Sequence, residues 1–309
     1  MKFMNLSDAR INGNLDKKGL KKLIVLPDYC PGRDKLPTGS VAVYSKDEHT
    51  PSSKFIGPDI GCGMTLAQFD RDVIDVEHIT YLVANELKAV DTELGSLGGG
   101  NHFINFYQVV SADALDLKQD DVLALIHSGS RLKGKKIFEE GLVGDEYIRE
   151  HNGAVEFGEK NRSRLIDLVQ NCSNAKLNLL LDLPHNTLEV TDSDFIYRKG
   201  AMKLKSKEYG VIPSTMGGEA VLIRGTDSIE ELENSICHGT GRKISRSDSK
   251  NMEFDSTSLR KKIYIPNSIS DSSLRTEAPH CYRGLDEVLP KLHKYASIVG
   301  RLKPLSYVG

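Results

Sequence analysis

Residues Val122 to Arg131 read Val-Leu-Ala-Leu-Ile-His-Ser-Gly-Ser-Arg, an apolar run that ends in a polar, glycine-containing turn. The run is short and is bounded by turn residues, so we predict a buried β-strand that ends at His127. A second apolar run, Leu177–Leu183, is followed in the same way by His185. The end of a strand places a side chain at the rim of its sheet, where sites are commonly built. The two histidines therefore indicate a candidate site at a sheet rim.

Other apolar runs and periodic segments continue along the chain. They predict strands at Leu23–Leu26, Val41–Tyr44, Val122–Ile126, Leu177–Leu181, Ala220–Ile223 and Ile263–Ile265. Helical periodicity predicts helices at Val76–Val90, Lys136–Glu150, Ala154–Val169 and Leu285–Ile298. The two kinds of element do not alternate strictly, which favours an α+β fold over a doubly wound parallel sheet. The polar, serine-rich segment Asp248–Leu259 is predicted to be an exposed loop. No linker is recognisable, so residues 1–309 are predicted to form a single large domain.

The composition excludes several classes of protein. The 309 residues include 41 Lys plus Arg and 43 Asp plus Glu, so a generally basic nucleic-acid coat is excluded and nucleic acid would need a local patch. No apolar run reaches ten residues, whereas a membrane-spanning helix needs ~20. The polar N-terminal segment lacks the apolar stretch of a secretory signal. Five cysteines without a C-x-x-C pair argue against a disulfide framework and favour a reducing, cytoplasmic location.

Glycine clusters stand next to unusual polar residues at five places. They are Ile60–Gly63, Gly98–His102, His127–Arg131, Ser214–Gly218 and His238–Arg242. Glycine allows a backbone to adopt positive φ and to approach a ligand closely. One such cluster is a turn. Five of them, four beside a histidine or cysteine, predict loops that converge on one site.

A candidate metal site consists of one carboxylate, one thiol and three imidazoles. These side chains are Asp59, Cys62, His102, His127 and His185. The mixed set suits a divalent transition-metal ion, and it exceeds the four ligands of a closed structural zinc site. Two ions that share a bridging thiolate would use all five groups. Taken singly, each residue has an ordinary alternative: a hydrogen-bonded histidine, a small buried cysteine or an aspartate in a turn. The other histidines are predicted to be surface residues; they are His49, His78, His151, His280 and His293.

The segment Cys237-His238-Gly239-Thr240-Gly241-Arg242 is a candidate site for phosphate chemistry, although it lacks the Lys-Ser/Thr ending of a P-loop. A neutral imidazole has an unperturbed pKa of ~6.5 and is a competent nucleophile at phosphorus near neutral pH. Arg242 can neutralise charge on non-bridging oxygens. The alternative is a tight turn with an exposed histidine. From Gly239 to Lys262, seven Lys and Arg residues stand against three acids. Such a run is usually a solvated face, but its position beside His238 favours a path for a polyanion.

A series of short motifs occurs in order from residue 26 to residue 283. They are Leu26-Pro27-Asp28, Asp59–Met64, Leu97–Ile104, His127–Arg131, His185-Asn186, Arg198–Ala201, Met216-Gly217, His238–Arg242 and Tyr282-Arg283. Each motif alone is weak, but the ordered set resembles the RtcB-type RNA ligase family, the enzymes of tRNA splicing and RNA repair. The resemblance implies one α+β catalytic domain in which central mixed or antiparallel β-sheets are flanked by helices.

The resemblance also implies a metal site with two manganese ions. Cys62 would bridge the ions, with His102 and His127 on one of them and Asp59 and His185 on the other. The donor types alone would not select manganese, because a thiolate with imidazoles suits zinc equally well.

The reaction implied by the resemblance begins with His238, assisted by Arg242. His238 would attack the α-phosphorus of GTP and form a nucleotidyl-histidine. The nucleotide would pass to an RNA 3′-phosphate, after opening of any 2′,3′-cyclic phosphate, and a 5′-hydroxyl would then join the ends. The partners would be such RNA ends and no membrane, and the need for an activating protein stays open. The nucleotide would be held by Asn101, Asn105, Asn186, Pro213, Ser214, Thr215, Met216, Gly239, Gly241 and Tyr282.

The chain departs from the family pattern where the family reads guanine and at one further motif. Cys30 stands in place of the histidine of Pro-Asp-x-His, and Asn105 stands in place of the glutamate that follows Asn-His-Phe-Ile. Thr215 and Ala220 replace two serines, and the terminal Lys-Gly of the family is missing. Asn105 has one acceptor and one donor group, so it cannot accept both guanine N–H groups as a carboxylate does. We therefore expect relaxed base selectivity, towards ATP. The alternative is that Lys303 or Tyr307 folds in and restores guanine recognition.

Two further functions are compatible with these residues. One is an enzyme that caps RNA 3′-phosphate ends without joining them, or a dinuclear phosphoesterase. The other is a non-catalytic RNA-end-binding protein that keeps the metal site for structure. The retained His238–Arg242 motif disfavours the second, because a purely structural site would not need it.

Overall fold

A computed structural model describes residues 1–10, 15–31, 35–71, 73–89 and 94–309. The strands are β1 (Lys2–Asn5), β2 (Leu20–Cys30), β3 (Thr38–Ser45), β4 (Gly63–Phe69), β5 (Phe103–Ala112), β6 (Val122–Ser128), β7 (Leu177–Pro184), β8 (Asn186–Val190), β9 (Asp194–Lys199), β10 (Ala201–Lys203), β11 (Tyr209–Pro213), β12 (Ala220–Gly225), β13 (Ser235–Cys237) and β14 (Ala296–Val308). The longer helices are α1 (Val76–Ala89), α2 (Leu132–Glu140) and α3 (Gly144–Ser173). The short helices are α4 (Arg246–Ser249), α5 (Thr257–Arg260), α6 (Asp271–Arg275) and α7 (Leu285–Val288).

The described strands form two large sheets and one small sheet. The first has the order β1-β2-β3-β9-β8, the second has the order β11-β12-β14-β5-β6-β4-β7, and β10 pairs with β13. Strands β1 and β2 are parallel, and the other pairs are antiparallel. The predicted α+β class, with mixed and antiparallel sheets and flanking helices, is confirmed.

Strand β6 lies inside the seven-stranded sheet, between β5 and β4. Ala124 and Ile126 belong to the same core cluster as Leu165 of α3. Leu123 and Leu125 belong to a different cluster, which includes side chains of β14. Both faces of the strand are therefore buried, which explains its continuous apolar run.

Five of the six predicted strands are confirmed as parts of β2, β3, β6, β7 and β12. The sixth, Ile263–Ile265, is wrong, because there Tyr264 makes an isolated β-bridge with Ser306 and no strand forms. Ile263 and Ile265 are nevertheless buried. The apolar run therefore reports core packing rather than a hydrogen-bonded ladder.

The first two predicted helices have different outcomes. The helix Val76–Val90 is confirmed as α1, although Val90 lies outside the described residues. The segment Lys136–Glu150 is wrong as a single helix, because it is divided between α2 and α3. Gly141 ends α2 with a left-handed φ of 67°, which favours glycine. The predicted helix Ala154–Val169 lies within α3, which runs for 30 residues.

The last predicted helix, Leu285–Ile298, is wrong beyond its first turn. Helix α7 ends at Val288, a 3₁₀ turn follows at Leu289–Lys291, and β14 begins at Ala296. Pro290 has no backbone N–H and its ring obstructs the preceding turn, so an α-helix does not continue through it.

Two surface predictions need correction. Segment Asp248–Leu259 is largely exposed, but its ends belong to α4 and α5, and Leu259 is buried. His151 is 2% exposed, and its Nε2 accepts the backbone N–H of Leu188 at 2.9 Å. Burial lowers the pKa of His151 to about 4, so the imidazole is neutral. In the part of the chain that the structure describes, no helix is long and apolar enough to cross a membrane.

Candidate metal centre and nucleotide cavity

The candidate metal centre is built on β4, β5 and β6, which are neighbours in the larger sheet. His127 of β6 pairs with Phe103 of β5 and with Met64 of β4. His102 directly precedes β5 and Cys62 directly precedes β4, so the antiparallel register brings both beside His127. The ligand atoms of Cys62, His102 and His127 lie within 4.8 Å of one another. Cys62 Sγ is 3.1 Å from His127 Nε2 and 3.3 Å from His102 Nε2.

Asp59 and His185 lie at the edge of this trio. His185 follows β7, the neighbour of β4, and its Nε2 is 3.2 Å from His127 Nε2. Asp59 Oδ1 is 3.6 Å from His102 Nε2. The structure therefore brings all five candidate ligands together.

Backbone carbonyls hold two imidazoles of the trio in a defined tautomer. The Nδ1 atoms of His102 and His127 lie 2.8 and 2.9 Å from the carbonyl oxygens of Leu97 and Asn101. Each Nδ1–H therefore donates, so in the neutral form of each imidazole it is Nε2 that presents a lone pair. Two lone pairs face the sulfur of Cys62, and a single S–H can donate to only one of them. A transition-metal cation fits this donor set.

Burial determines the protonation of the centre. It lowers the pKa of His127 and of His185 well below the ordinary value, which leaves neutral imidazoles. It raises the pKa of the Cys62 thiol well above its ordinary value, so the thiolate needs a neighbouring cation. The Nδ1 atom of His185 is buried and has no hydrogen-bond partner among the described residues. The residues therefore fit a bound metal.

The imidazole of His238 adjoins the metal centre. Its ring centroid is 4.4 Å from that of His185. Its Nδ1 lies 2.9 Å from Asp28 Oδ2 and 2.8 Å from the carbonyl oxygen of Gly200. The Nδ1–H therefore donates to this pair of acceptors, so in the neutral imidazole Nε2 is the nitrogen that carries the lone pair. An unprotonated ring nitrogen is what a nucleophilic histidine needs.

Asp28 was not predicted as a site residue. It is fully buried in β2, and burial raises its pKa, although the hydrogen bond and charge of His238 oppose this shift. The available signal was its place in the motif Leu26-Pro27-Asp28, where an acid follows an apolar run. Gly241 has a φ of 75° and lies against the backbone of Asp28. A Cβ at this position would be 2.1 Å from the Asp28 carbonyl oxygen, so only glycine fits there.

A cavity of about 840 Å³ opens beside His238. It is lined by all the predicted nucleotide-binding residues: Asn101, Asn105, Asn186, Pro213, Ser214, Thr215, Met216, Gly239, Gly241 and Tyr282. Arg242 and three candidate ligands, Asp59, His127 and His185, also line it. Four of the five glycine clusters contribute to the wall, and the fifth carries Cys62. The predicted convergence of these loops is confirmed.

Arg242 belongs to a group of polar side chains on the cavity wall. Its Nη1 donates to Glu277 Oε2 at 3.0 Å and to the Tyr282 hydroxyl at 3.1 Å. Arg246 Nε donates to the other oxygen of Glu277 at 3.1 Å. One buried carboxylate thus orients two guanidinium groups. Glu277 was not predicted as a site residue, and no pattern around it in the sequence distinguishes it.

Asn105 lies in the buried part of the cavity wall. Its Nδ2 donates to the Tyr107 hydroxyl at 3.3 Å, and its Oδ1 has no partner among the described residues. Tyr307 is the register partner of Asn105 and also lines the cavity. Lys303 pairs instead with Gln108, farther along β5, and is exposed. Of the two predicted substitutes for base recognition, Tyr307 is therefore the one near Asn105.

Comparisons with known proteins give independent information about the chain. The family model described as tRNA-splicing ligase RtcB matches residues 70–142 and 139–309. The RNA-splicing ligase RtcB2 of Escherichia coli strain ATCC 25922 is 27% identical over 351 residues, which cover 97% of this chain and 91% of that protein. The tRNA-splicing ligase RtcB of Nanoarchaeum equitans is 23% identical over 429 residues, which cover 96% of this chain and 90% of that protein. The RNA-splicing ligase RtcB of Mycobacterium tuberculosis is 26% identical over 278 residues, which cover 70% of this chain and 64% of that protein.

Proposed function

The chain belongs to the RtcB family of RNA ligases, and from this we propose that it is a manganese-dependent ligase that joins an RNA 3′-phosphate or 2′,3′-cyclic phosphate to a 5′-hydroxyl. His238 is the proposed nucleophile and forms a nucleotidyl-histidine. The observation that carries the proposal is the orientation of the His238 imidazole, whose Nδ1 lies against Asp28 and the Gly200 carbonyl oxygen while the ring adjoins the Cys/His trio and the cavity. We also propose a cytoplasmic location, which the five free cysteines support.

Five side chains would hold two manganese ions. Cys62 would bridge the ions, His102 and His127 would complete one site, and Asp59 and His185 would complete the other. The convergence of Nε2 atoms on the Cys62 sulfur supports this arrangement. When bound, the two cations supply positive charge that stabilises the phosphoryl oxygens and the leaving pyrophosphate.

The first proposed step transfers a nucleotide to His238. Its Nε2 attacks the α-phosphorus, the bond from that phosphorus to the bridging oxygen breaks, and pyrophosphate leaves. The imidazole becomes positively charged as the P–N bond forms. The Asp28 carboxylate, 2.9 Å from Nδ1, stabilises that charge. Arg242 neutralises charge on the non-bridging oxygens.

The later steps use the RNA ends. A 2′,3′-cyclic phosphate is first hydrolysed to a 3′-phosphate. An oxygen of that 3′-phosphate attacks the phosphorus held by His238, the P–N bond breaks, and the neutral imidazole is restored. The oxygen of the 5′-hydroxyl then attacks the RNA phosphorus, its proton passes to solvent, and the phosphoanhydride bond breaks so that the mononucleotide leaves. Asp28 and Gly200 keep the Nδ1 proton of His238 in place throughout.

We propose that GTP, with ATP as a second substrate, occupies the cavity of about 840 Å³. Asn186, one of the proposed nucleotide contacts, is fixed in position by two hydrogen bonds. Its Nδ2 donates to the Asp59 carbonyl oxygen at 2.9 Å, and its Oδ1 accepts the Gly200 N–H at 2.8 Å. It thereby ties a metal-ligand loop to the backbone that orients His238. The other proposed contacts to the nucleotide come from Asn101, Asn105, Pro213–Met216, Gly239, Gly241 and Tyr282.

Incubation of the protein with α-labelled GTP or ATP and Mn²⁺ tests the proposal. We expect a covalent adduct that is acid-labile and alkali-stable, as a histidine phosphoramidate is. Addition of RNA with 3′-phosphate and 5′-hydroxyl ends should discharge the label and give a joined product. Transfer of label without joining would identify a capping enzyme instead. Absence of an adduct with every triphosphate would contradict the proposal.

A further inference from the structure

One turn of helix α3 contacts the loops that carry the candidate metal ligands. Gly158, Asn161 and Arg162 form this turn, and all three are buried. None of them is among the described residues that line the nucleotide cavity. The side chains of Asn161 and Arg162 donate hydrogen bonds to backbone carbonyl oxygens near the candidate ligands.

Arg162 joins the loop of Cys62 to the end of strand β6, which carries His127. Its Nη1 donates to the carbonyl oxygen of Gly61 at 2.9 Å and to that of Ser128 at 3.0 Å. Gly61 directly precedes Cys62, and Ser128 directly follows His127. One guanidinium nitrogen therefore bridges two backbones that the register of β4 and β6 places side by side, and whose ligand atoms are 3.1 Å apart.

Asp182 fixes the direction of that guanidinium. Nε and Nη2 of Arg162 donate to its two carboxylate oxygens at 2.6 and 2.8 Å. Nε also donates to Thr65 Oγ1 at 3.2 Å. The guanidinium is planar, so this two-point contact on one edge leaves Nη1 aimed at the two carbonyl oxygens.

Asn161 connects the same helix to the loop before His102. Its Oδ1 accepts the backbone N–H of Ser96 at 3.2 Å, and its Nδ2 donates to the Ser96 carbonyl oxygen and to Ser128 Oγ, each at 3.0 Å. The Ser128 hydroxyl donates to the carbonyl oxygen of Leu97 at 3.2 Å. That carbonyl also lies 2.8 Å from Nδ1 of His102. This series of hydrogen bonds therefore ends at a candidate ligand.

We propose that this turn of α3 is the positioning element of the metal centre. Arg162 and Asn161 hold the loops of Cys62, His127 and His102 at the separations that metal binding needs. The inference rests on the proposed function, because it takes the Cys/His trio to be a metal site. Contacts to residues behind metal ligands typically contribute about 10–100-fold to metal affinity. Loss of these contacts should therefore weaken metal binding by such a factor.

The test compares two double variants, each of which removes a buried arginine together with its carboxylate. Arg162→Met with Asp182→Leu removes the pair on α3 and leaves no unpaired charge of that pair. Arg198→Met with Glu189→Leu is the control, and it also removes the carboxylate that pairs with the exposed Lys203. Arg198 is 2% exposed and donates to Glu189 at 2.6 Å, and its other contacts are to Ser235 and to the carbonyl oxygen of Glu233 rather than to the ligand loops. The same measurements are made on Asn161→Leu, which changes no charge.

Metal affinity is measured by calorimetric titration with Mn²⁺. Coordination by the thiolate is measured by the thiolate-to-cobalt absorption band after addition of Co²⁺. Folding is measured as the melting temperature of the metal-free protein. We expect the α3 double variant and Asn161→Leu to remain folded, to bind Mn²⁺ at least about tenfold more weakly than wild type and to show a weaker cobalt band. The control pair should bind as wild type does.

Wild-type metal affinity in both α3 variants would overturn the inference and leave the proposed function intact. If the double variant does not fold, Asn161→Leu decides between these outcomes. Absence of metal binding by the wild-type protein would instead contradict the proposed function.

Discussion

His238 is held by two acceptors on one ring nitrogen, and the other nitrogen is the proposed nucleophile. Replacement of His238 by Ala removes the proposed nucleophile without removing any of the five candidate ligands. We therefore expect His238→Ala to lose covalent capture of labelled nucleotide while its metal content stays unchanged. Acid-quenched labelling and elemental analysis of the purified variant provide the two measurements. Persistent labelling would mean that another residue is the nucleophile.

Cys62 is the proposed ligand of both metal ions, so its replacement should weaken the binding of both ions. We expect Cys62→Ser to lose both ions, because a serine hydroxyl is a poor substitute for a thiolate bridge. His127→Ala and His185→Ala should each weaken mainly one ion. Metal counting on the three purified variants distinguishes the two patterns. Full metal content in Cys62→Ser would show that the bridging assignment is wrong.

Asn105 presents an unpartnered buried Oδ1 to the cavity, and the Tyr107 hydroxyl lies beside its amide nitrogen. An amide cannot accept both N–H groups of guanine, so we expect ATP to compete with GTP for adduct formation. A good two-point base contact contributes ~1–3 kcal/mol to discrimination. Asn105→Glu should shift the preference towards GTP. A preference for GTP above about a thousandfold in the wild-type protein, well beyond one such contact, would rule out relaxed selectivity.

Two glycines of helix α3 should respond oppositely to alanine. Alanine usually stabilises a helix interior by ~1 kcal/mol relative to glycine. At Gly153 a Cβ would meet only the flexible Lys133 side chain, at 3.1 Å, so we expect a gain of about that size. At Gly158 a Cβ would lie 2.5 Å from the Gly61 carbonyl oxygen, and we expect a net loss of about 1–3 kcal/mol. Denaturant unfolding of both variants measures the difference. Equal stabilisation by both substitutions would mean that α3 can shift away from Gly61 at little cost.

Bound metal should stabilise the whole molecule, because the five candidate ligands come from separate loops and strand ends. A ligand that binds only the folded state adds about 2.7 kcal/mol when its free concentration is about a hundredfold above Kd. We therefore expect chelation to lower the melting temperature and Mn²⁺ to restore it. Cys62→Ser should show no such restoration. A wild-type melting temperature independent of Mn²⁺ would contradict a metal that links these loops.

Local sequence was sufficient for the main strands and for the α+β class. Short apolar runs between turn residues reported β2, β3, β6, β7 and β12 correctly. In β3, β6 and β12 most residues on both faces are buried, and such strands need continuous apolar side chains. The same signal failed at Ile263–Ile265 and at Leu285–Ile298. Apolar spacing reports that side chains are buried, but not which backbone partners are available or whether Pro290 interrupts a helix.

Residue identity and order, by themselves, indicated the candidate ligands and the candidate nucleophile, and the family resemblance added ten of the residues that line the cavity. Only the tertiary structure decided which groups support them. Asp28 reaches His238 across 210 residues of sequence, and Arg162 reaches Gly61 across 101. A ligand or nucleophile can be recognised from its own side-chain chemistry and its glycine-rich setting. The role of a supporting aspartate or arginine depends on its hydrogen-bond partners. Those partners are distant in sequence, and the tertiary structure brings them together.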